Sequence, residues 1–169
     1  MGIAIPLAKI SPEEYIQRIK AFESKALELG KQLIDAKELD RRPLRPRDLG
    51  LTSDEWTFNV SAGTNSNAIN ATLKNKFLVM IFGIYNLSTD PQVNEVVFRT
   101  PQQTVDDIYL EDMYQYDTPA VLLDEPIVYQ PGATVQIDLV AKGANSAEKI
   151  GFLGIVVAPK GNLPENASS

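Results

Sequence analysis

The chain has 169 residues, enough for one domain of ordinary size plus an arm. Apolar residues make up 44% and charged residues 22%, so the chain can bury a core. It has no cysteine and no histidine, which removes disulfides, thiolate metal sites, the commonest general base and the commonest metal ligand. We therefore expect a protein that is not an enzyme and that needs no cofactor and no metal.

The charge of the chain is unevenly distributed. The net charge is −6, yet residues 1–50 hold ten basic and eight acidic residues and are positive. The hydrophobic period also changes near Gly50, from a helical to a strand-like spacing. These shifts predict an N-terminal arm, helix and basic extended linker over residues 1–50, a β-sandwich domain over 51–160, and a flexible tail over 161–169.

A helix is predicted from Pro12 to about Asp35. Ser11 can cap it, and Glu14 stands three residues later, as in a capping box. Apolar side chains then recur at steps of three and four, which places them on one face. That face consists of Tyr15, Ile19, Phe22, Leu29 and Leu33. It covers either the sheet of its own domain, the commoner arrangement, or a neighbouring subunit.

Four arginines follow the helix. Residues 41–48 contain two prolines, which exclude a helix interior and a central strand, so we expect an extended segment. Its guanidinium groups are suited to nucleic acid phosphates, anionic lipid heads or the acidic surface of a neighbouring copy. The alternative is a solvated linker whose arginines pair with acids close in sequence. The candidate contact residues are Arg41, Arg42, Arg45 and Arg47.

Strands are predicted throughout the second part of the chain. Residues 56–60 alternate apolar and polar side chains, whereas residues 77–85 are apolar on both faces and predict a central strand covered on both sides. Turn signals separate the apolar segments at intervals of roughly 8 to 12 residues. We therefore expect a mainly β protein, an antiparallel sandwich or barrel of eight or nine strands. The remaining predicted strands are 68–73, 95–99, 107–113, 120–123, 126–129, 134–141 and 149–158.

Two groups of side chains point to binding functions. Residues 106–117 are rich in carboxylates, which can hold calcium or magnesium, but strand alternation sends them to opposite faces and favours a solvated sheet edge. Tyrosines with Trp56 can form a sugar-stacking surface, which keeps a carbohydrate-binding module as an alternative. These tyrosines are Tyr109, Tyr114, Tyr116 and Tyr129.

The order of features resembles one family. The ending combines the sequence Pro-Ile-Val-Tyr-Gln-Pro-Gly-Ala-Thr-Val-Gln-Ile-Asp-Leu at 126–139 with an apolar last strand at 150–157. Together with the preceding helix, basic segment and strands, it is similar to single jelly-roll capsid proteins of tailless icosahedral viruses that carry an internal membrane. The resemblance covers residues 55–158. It implies two four-stranded sheets, no catalytic residues, arms that tie neighbours together, and a virion protein made in the host cytoplasm.

The residues themselves are consistent with a shell subunit. The apolar strand 77–85 and the amphipathic helix suggest more apolar surface than a small sandwich needs, and therefore contacts with copies of itself and other capsid subunits. We expect the arginine segment to contact the acidic 106–117 region of another copy, or else the genome or internal membrane. No small-molecule substrate is expected. Serine at all four arginines should then abolish assembly and leave the monomer folded.

A filament or pilus subunit is the alternative from another class. There residues 1–10 would complete a neighbour's sandwich as a donated strand, since Ile3, Ile5 and Leu7 alternate suitably. Against it, such subunits are exported, and residues 1–9 lack the basic region of a secretory signal.

Overall fold

The computed structural model describes residues 2–169, and within them the chain forms eleven strands, one α-helix and three short 3-10 turns. The helix is α1 (Pro12–Leu33). The 3-10 turns are Leu7–Lys9, Pro46–Leu49 and Glu111–Gln115. The strands are β1 (Ala4–Pro6), β2 (Leu39–Pro43), β3 (Phe58–Val60), β4 (Gly63–Thr72), β5 (Leu78–Asn86), β6 (Val93–Arg99), β7 (Thr104–Tyr109), β8 (Ala120–Tyr129), β9 (Thr134–Ala141), β10 (Asn145–Glu148) and β11 (Ile150–Pro159).

The strands form two packed antiparallel sheets. One sheet has the order β1-β8-β5-β11-β2, the other the order β4-β9-β6-β7, and β3 pairs with β10 in a separate ribbon. The predicted mainly β, antiparallel sandwich with an N-terminal helix is confirmed. It has more strands than the eight or nine expected, because β1, β2 and β10 are not among the predicted strands of the domain, while β8 joins two predicted strands into one.

The strand order is that of a jelly roll. Without β1, β3 and β10, eight strands remain, four in each sheet, in the orders β2-β11-β5-β8 and β4-β9-β6-β7. The chain crosses from one sheet to the other at every connection between these eight strands except that between β6 and β7. Two interlocked Greek keys of this kind define the jelly roll, which occurs in capsid proteins, lectins and cupins.

The core lies between the two sheets. The inward side chains of β5, such as Val79 and Ile81, are completely buried, as are those of β6 and β9 opposite. Phe98 and Phe152 meet edge to face with ring centroids 5.8 Å apart, which joins the two sheets near the centre of the sandwich.

Helix α1 packs on the outer face of its own five-stranded sheet. The ring of Phe22 stacks on that of Phe82 with centroids 4.9 Å apart and an angle of 10° between the planes. Gly30 allows this close approach, because a Cβ there would lie 2.8 Å from a methyl group of Val157. The second face of β5 is therefore covered in cis. The inference that its apolar surface requires a neighbouring subunit is wrong.

The predicted helix face is correct except at its end. Tyr15, Ile19, Phe22 and Leu29 pack in the cluster between helix and sheet. Leu33 is 40% exposed, because the helix ends there and the following Ile34 takes the buried position. The cap is as predicted, with the Ser11 hydroxyl accepting from the Glu14 amide at 3.2 Å.

Both chain ends belong to the sandwich. β1 pairs with β8 and β2 pairs with β11, so residues before Gly50 contribute the two outer strands of one sheet. The segment predicted as an extended linker is thus in part an edge strand. In the tail, Ala167 is fully buried and Ser168 pairs with Leu73, in place of the free tail expected. Between residues 2 and 169, no helix combines the length and the apolarity that crossing a bilayer requires.

Replacing Phe22 with alanine should lower the free energy of unfolding by about 3 kcal/mol, because a cavity opens where the ring stacks on Phe82. Urea unfolding followed by circular dichroism measures the change. Ile16→Ala on the same helix is the control, since Ile16 is 52% exposed and should cost less than about 1 kcal/mol. Equal effects of the two substitutions would contradict packing of the helix in cis.

Candidate assembly site

The four arginines predicted to make contacts lie in β2 and in the turn that follows it. One of them, Arg42, forms a two-pronged ion pair with Asp48. Its Nη1 donates to Asp48 Oδ2 and its Nη2 to Asp48 Oδ1, both at 2.7 Å. The Asp48 carboxylate is completely buried and also accepts from the amides of Arg45 and Ala167.

Arg42 also holds the C-terminal tail. Its Nε donates to the Leu163 carbonyl at 2.5 Å, and its Nη2 to the Glu165 carbonyl at 2.8 Å. A further bond from Nη1 reaches the Pro43 carbonyl at 3.1 Å. A guanidinium has five N–H donors, and these contacts with the two Asp48 oxygens match all five. Arg42 therefore has no donor left for an external anion.

Burial is the largest single influence on the pKa of Asp48, but the partners of the carboxylate together exceed it. Burial alone would raise the pKa of this carboxyl, but hydrogen bonds from Arg42, Ala167 and Arg45 outweigh burial and hold the pKa below its ordinary value. The carboxylate is thus charged in the folded protein over the whole neutral range. Sequence reasoning missed this role, because the Asp48 contacts reach the tail, more than a hundred residues away.

The other three arginines are about half exposed and make surface pairs. Arg41 approaches Glu23 of α1 at 3.2 Å, and Arg47 approaches Asp54 at 2.6 Å. Arg45 lies 4.0 Å from Asp48 and donates weakly to the Pro164 carbonyl. Exposed pairs of this kind contribute about 0–1 kcal/mol each and exchange partners cheaply. Local pairing, the alternative left open by the sequence, is present, and a contact with another molecule remains a prediction.

The acidic region 106–117 lies at the opposite side of the sandwich. It forms β7, an edge strand, and the 3-10 turn after it. On the outer face of the sheet, burial and the neighbouring Asp107 raise the pKa of Glu95. Lys9 lies over the ring of Tyr116, 5.7 Å from its centroid. In the part of the chain that the structure describes, no group of three or more acidic side chains is arranged to hold a metal ion.

Each chain end closes one open side of the sandwich. Near the N-terminus, the Gly2 amide donates to the Asp107 carbonyl of β7, while β1 pairs with β8 of the other sheet. On the far side, Arg42 of β2 binds the tail, and the tail pairs with residues 72–74 at the end of β4. Within the segment 1–10 predicted as a donated strand, residues 4–6 thus pair with β8 of their own domain and not with a neighbour. Met1 lies outside the described residues.

The tyrosines proposed for a sugar-stacking surface do not form one. Tyr129 is fully buried in the core and donates to the Arg99 carbonyl, and Tyr114 donates to the Val93 carbonyl. Burial raises the pKa of both phenols. Inward orientation along β8 and in the 111–115 turn excludes both rings from a binding surface, whereas Tyr109 is 51% exposed. The predicted surface of all four tyrosines with Trp56 is therefore not present, and carbohydrate binding stays a prediction.

No protein-family model matches the sequence, and no curated protein matches it. Among solved structures, the fold is similar to the VP2 subviral particle protein of infectious bursal disease virus, with 11% identity over 79% of this chain and a TM-score of 0.38. The match covers 36% of the VP2 chain, so the present chain spans little more than a third of that protein. Another neighbour is the C-terminal CBM6 of LamC, a laminarinase from Zobellia galactanivorans, with 4% identity, 70% of this chain, 99% of that chain and a TM-score of 0.32. Likenesses at this level carry no argument about function.

Replacing Asp48 with asparagine should lower the free energy of unfolding by about 3–5 kcal/mol at pH 7, because Arg42 loses its buried counter-ion. The cost should shrink in acid. The lowered pKa of Asp48 contributes stability that is complete above the unfolded-state pKa of about 3.9 and is lost as pH falls through the lower folded-state pKa. Urea unfolding at several pH values between neutrality and strong acid measures both effects.

The matched control for this prediction is Asp54→Asn, which removes the exposed partner of Arg47. It should change stability by less than about 1 kcal/mol at any pH. If Asp48→Asn were as stable as Asp54→Asn, the contacts of Arg42 with Asp48 and the tail would not stabilise the fold.

Proposed function

We propose that this chain is a structural virion protein, a capsid shell subunit that assembles with copies of itself and other capsid subunits. Jelly rolls also occur in lectins and cupins, and this chain lacks histidine, the commonest metal ligand in proteins. As a shell protein it would act in the virion, be made in the host cytoplasm and catalyse no reaction.

The observation that carries this proposal is the opposite placement of charge on the two sides of the sandwich. The half-exposed Arg41, Arg45 and Arg47 lie beside β2, at one edge of the five-stranded sheet. Residues 106–117, with five acidic and no basic side chains, lie beside β7 at the far side. Copies can therefore meet side to side, head to tail, with the arginines of one against the acids of the next.

Head-to-tail contacts of this kind suit a shell. They use two different patches on each copy, so they propagate into rings or sheets and close when the rotation between copies allows it. The edge strands β1, β2 and β7 are short and the chain ends bond beside β4 and β7, which favours contact through side chains over strand pairing. Binding of the genome or an internal membrane by the arginines is a weaker proposal, since Arg42 is fully used inside the fold.

The structure changes which variant tests the contact. Serine at position 42 would remove the hydrogen bonds of Arg42 to Asp48 and to the tail. The fourfold substitution would therefore unfold the protein as well as prevent assembly. The triple variant Arg41→Ser, Arg45→Ser and Arg47→Ser should keep the fold. A matched control removes the same charge elsewhere, from the exposed Lys20, Lys25 and Lys142.

We expect light scattering and electron microscopy of the purified wild-type protein to show rings, lattices or shells at low salt that dissociate as salt is added. The triple arginine variant should remain monomeric with an unchanged melting temperature, and the triple lysine variant should assemble as the wild type does. Equal loss of assembly in both variants would contradict the arginine contact. Fibres would favour the filament alternative, and a monomer under all conditions would contradict both assembly functions.

A further inference from the structure

A groove of about 570 Å³ opens between the first half of α1 and the outer face of the five-stranded sheet. It exists because β2 is shorter than the strand it accompanies. β2 pairs only with residues 155–159 of β11, and after the Leu44 amide bonds to the Gly154 carbonyl the chain turns away. The edge of β11 on this side therefore has no paired strand at residues 150–153.

The groove has an apolar floor and aromatic walls. Phe82, Leu153 and Ile155 form the floor. Tyr15 of α1, Tyr85 of β5 and Trp56 add three aromatic rings to its lining. Gly151 makes room for these last two rings, because a Cβ there would lie 2.9 Å from Trp56 Cδ1 and closer still to the Tyr85 ring. The half-buried rings thus lie directly on the backbone of β11.

The polar atoms of these aromatic side chains have no hydrogen-bond partner among the described residues. Within residues 2–169, the hydroxyls of Tyr15 and Tyr85 and the indole N–H of Trp56 make no hydrogen bond, whereas Tyr114 and Tyr129 both donate to carbonyls. Glu23, Asp40 and Arg41 also line the groove and add acceptors and a donor. The Arg41 charge is already balanced by Glu23 at 3.2 Å.

We propose that this groove binds a short neutral saccharide. A sugar ring has an apolar C–H face that packs on aromatic rings and a rim of hydroxyls that bond to phenol, indole and carboxylate groups. A lipid chain would fill the floor but bury those polar atoms without partners, which costs free energy. An anionic ligand would need a cation that is not already paired. The volume lies within the range of about 300–1,000 Å³ usual for ligand sites.

This site overlaps the proposed assembly contact at Arg41 only. Arg42 also lines the groove, but all of its donors are used inside the fold, and none of the acids of residues 106–117 takes part. It also differs from the tyrosine surface expected from the sequence, of which only Trp56 takes part. The saccharide proposal therefore stands or falls independently of shell formation.

The chain supplies its own reporter, because Trp56 is its only tryptophan. The probes are maltotriose, cellotriose, mannotriose and tri-N-acetylchitotriose, each titrated to millimolar concentration into the whole wild-type chain. We expect at least one to shift the Trp56 emission saturably, with binding confirmed by isothermal titration calorimetry. No saturable change with any of the four trisaccharides would overturn the proposal.

Two conservative variants test the geometry. Tyr85→Phe and Tyr15→Phe keep the rings and remove one hydroxyl each, so each should weaken binding of the active probe about threefold to tenfold without changing the melting temperature. Tyr109→Phe, at a half-exposed position on the opposite sheet, is the matched control and should bind as the wild type does. Unchanged binding by both groove variants would overturn the assignment, and so would a saturable response to a proline-rich peptide but to none of the sugars.

Discussion

The buried pair of Arg42 and Asp48 is the interaction on which the arrangement of this chain depends. It brings together an edge strand, the turn after it and the last residues of the protein, and it satisfies every donor of the guanidinium. A pair of this kind is costly to bury unless its hydrogen bonds are complete, and here they are complete. As a result, the tail lies across one open side of the sandwich and pairs with the end of β4. The N-terminal residues bond to β7 on the other side.

Closing both sides determines what remains available for binding. Unpaired strand edges invite association through backbone hydrogen bonds, and here the chain ends cover part of the edges of β4 and β7. The exposed features that remain are charged side chains on opposite sides and one aromatic groove. The groove follows from the Arg42–Asp48 pair. The chain leaves the sheet after Pro43, where the following turn places Asp48 inside the fold, and the edge of β11 before Gly154 therefore has no paired strand.

The apolar face of helix α1 is covered by its own domain and gives no evidence for a partner molecule. Its apolar stripe and the apolar strand β5 each predict a covering partner, and the two are partners of one another, joined by the stacked rings of Phe22 and Phe82. Gly30 weakens the helix as an isolated segment but allows it to approach Val157 closely. The case for assembly therefore rests on the placement of charge and not on surplus apolar area.

The sequence by itself determined the elements whose signals are local. Ser11 and Glu14 mark the helix start, steps of three and four give its buried face, and strand-like segments with turn signals indicate the antiparallel sandwich. It could not show that Leu39–Pro43 is a strand, because two prolines nearby argue for a linker, and pairing with β11 decides the matter. Only the tertiary structure separated Arg42 from the other three arginines and brought Tyr15, Trp56 and Tyr85 to one groove. Both depend on contacts between residues far apart in the chain, and local sequence patterns do not carry such contacts.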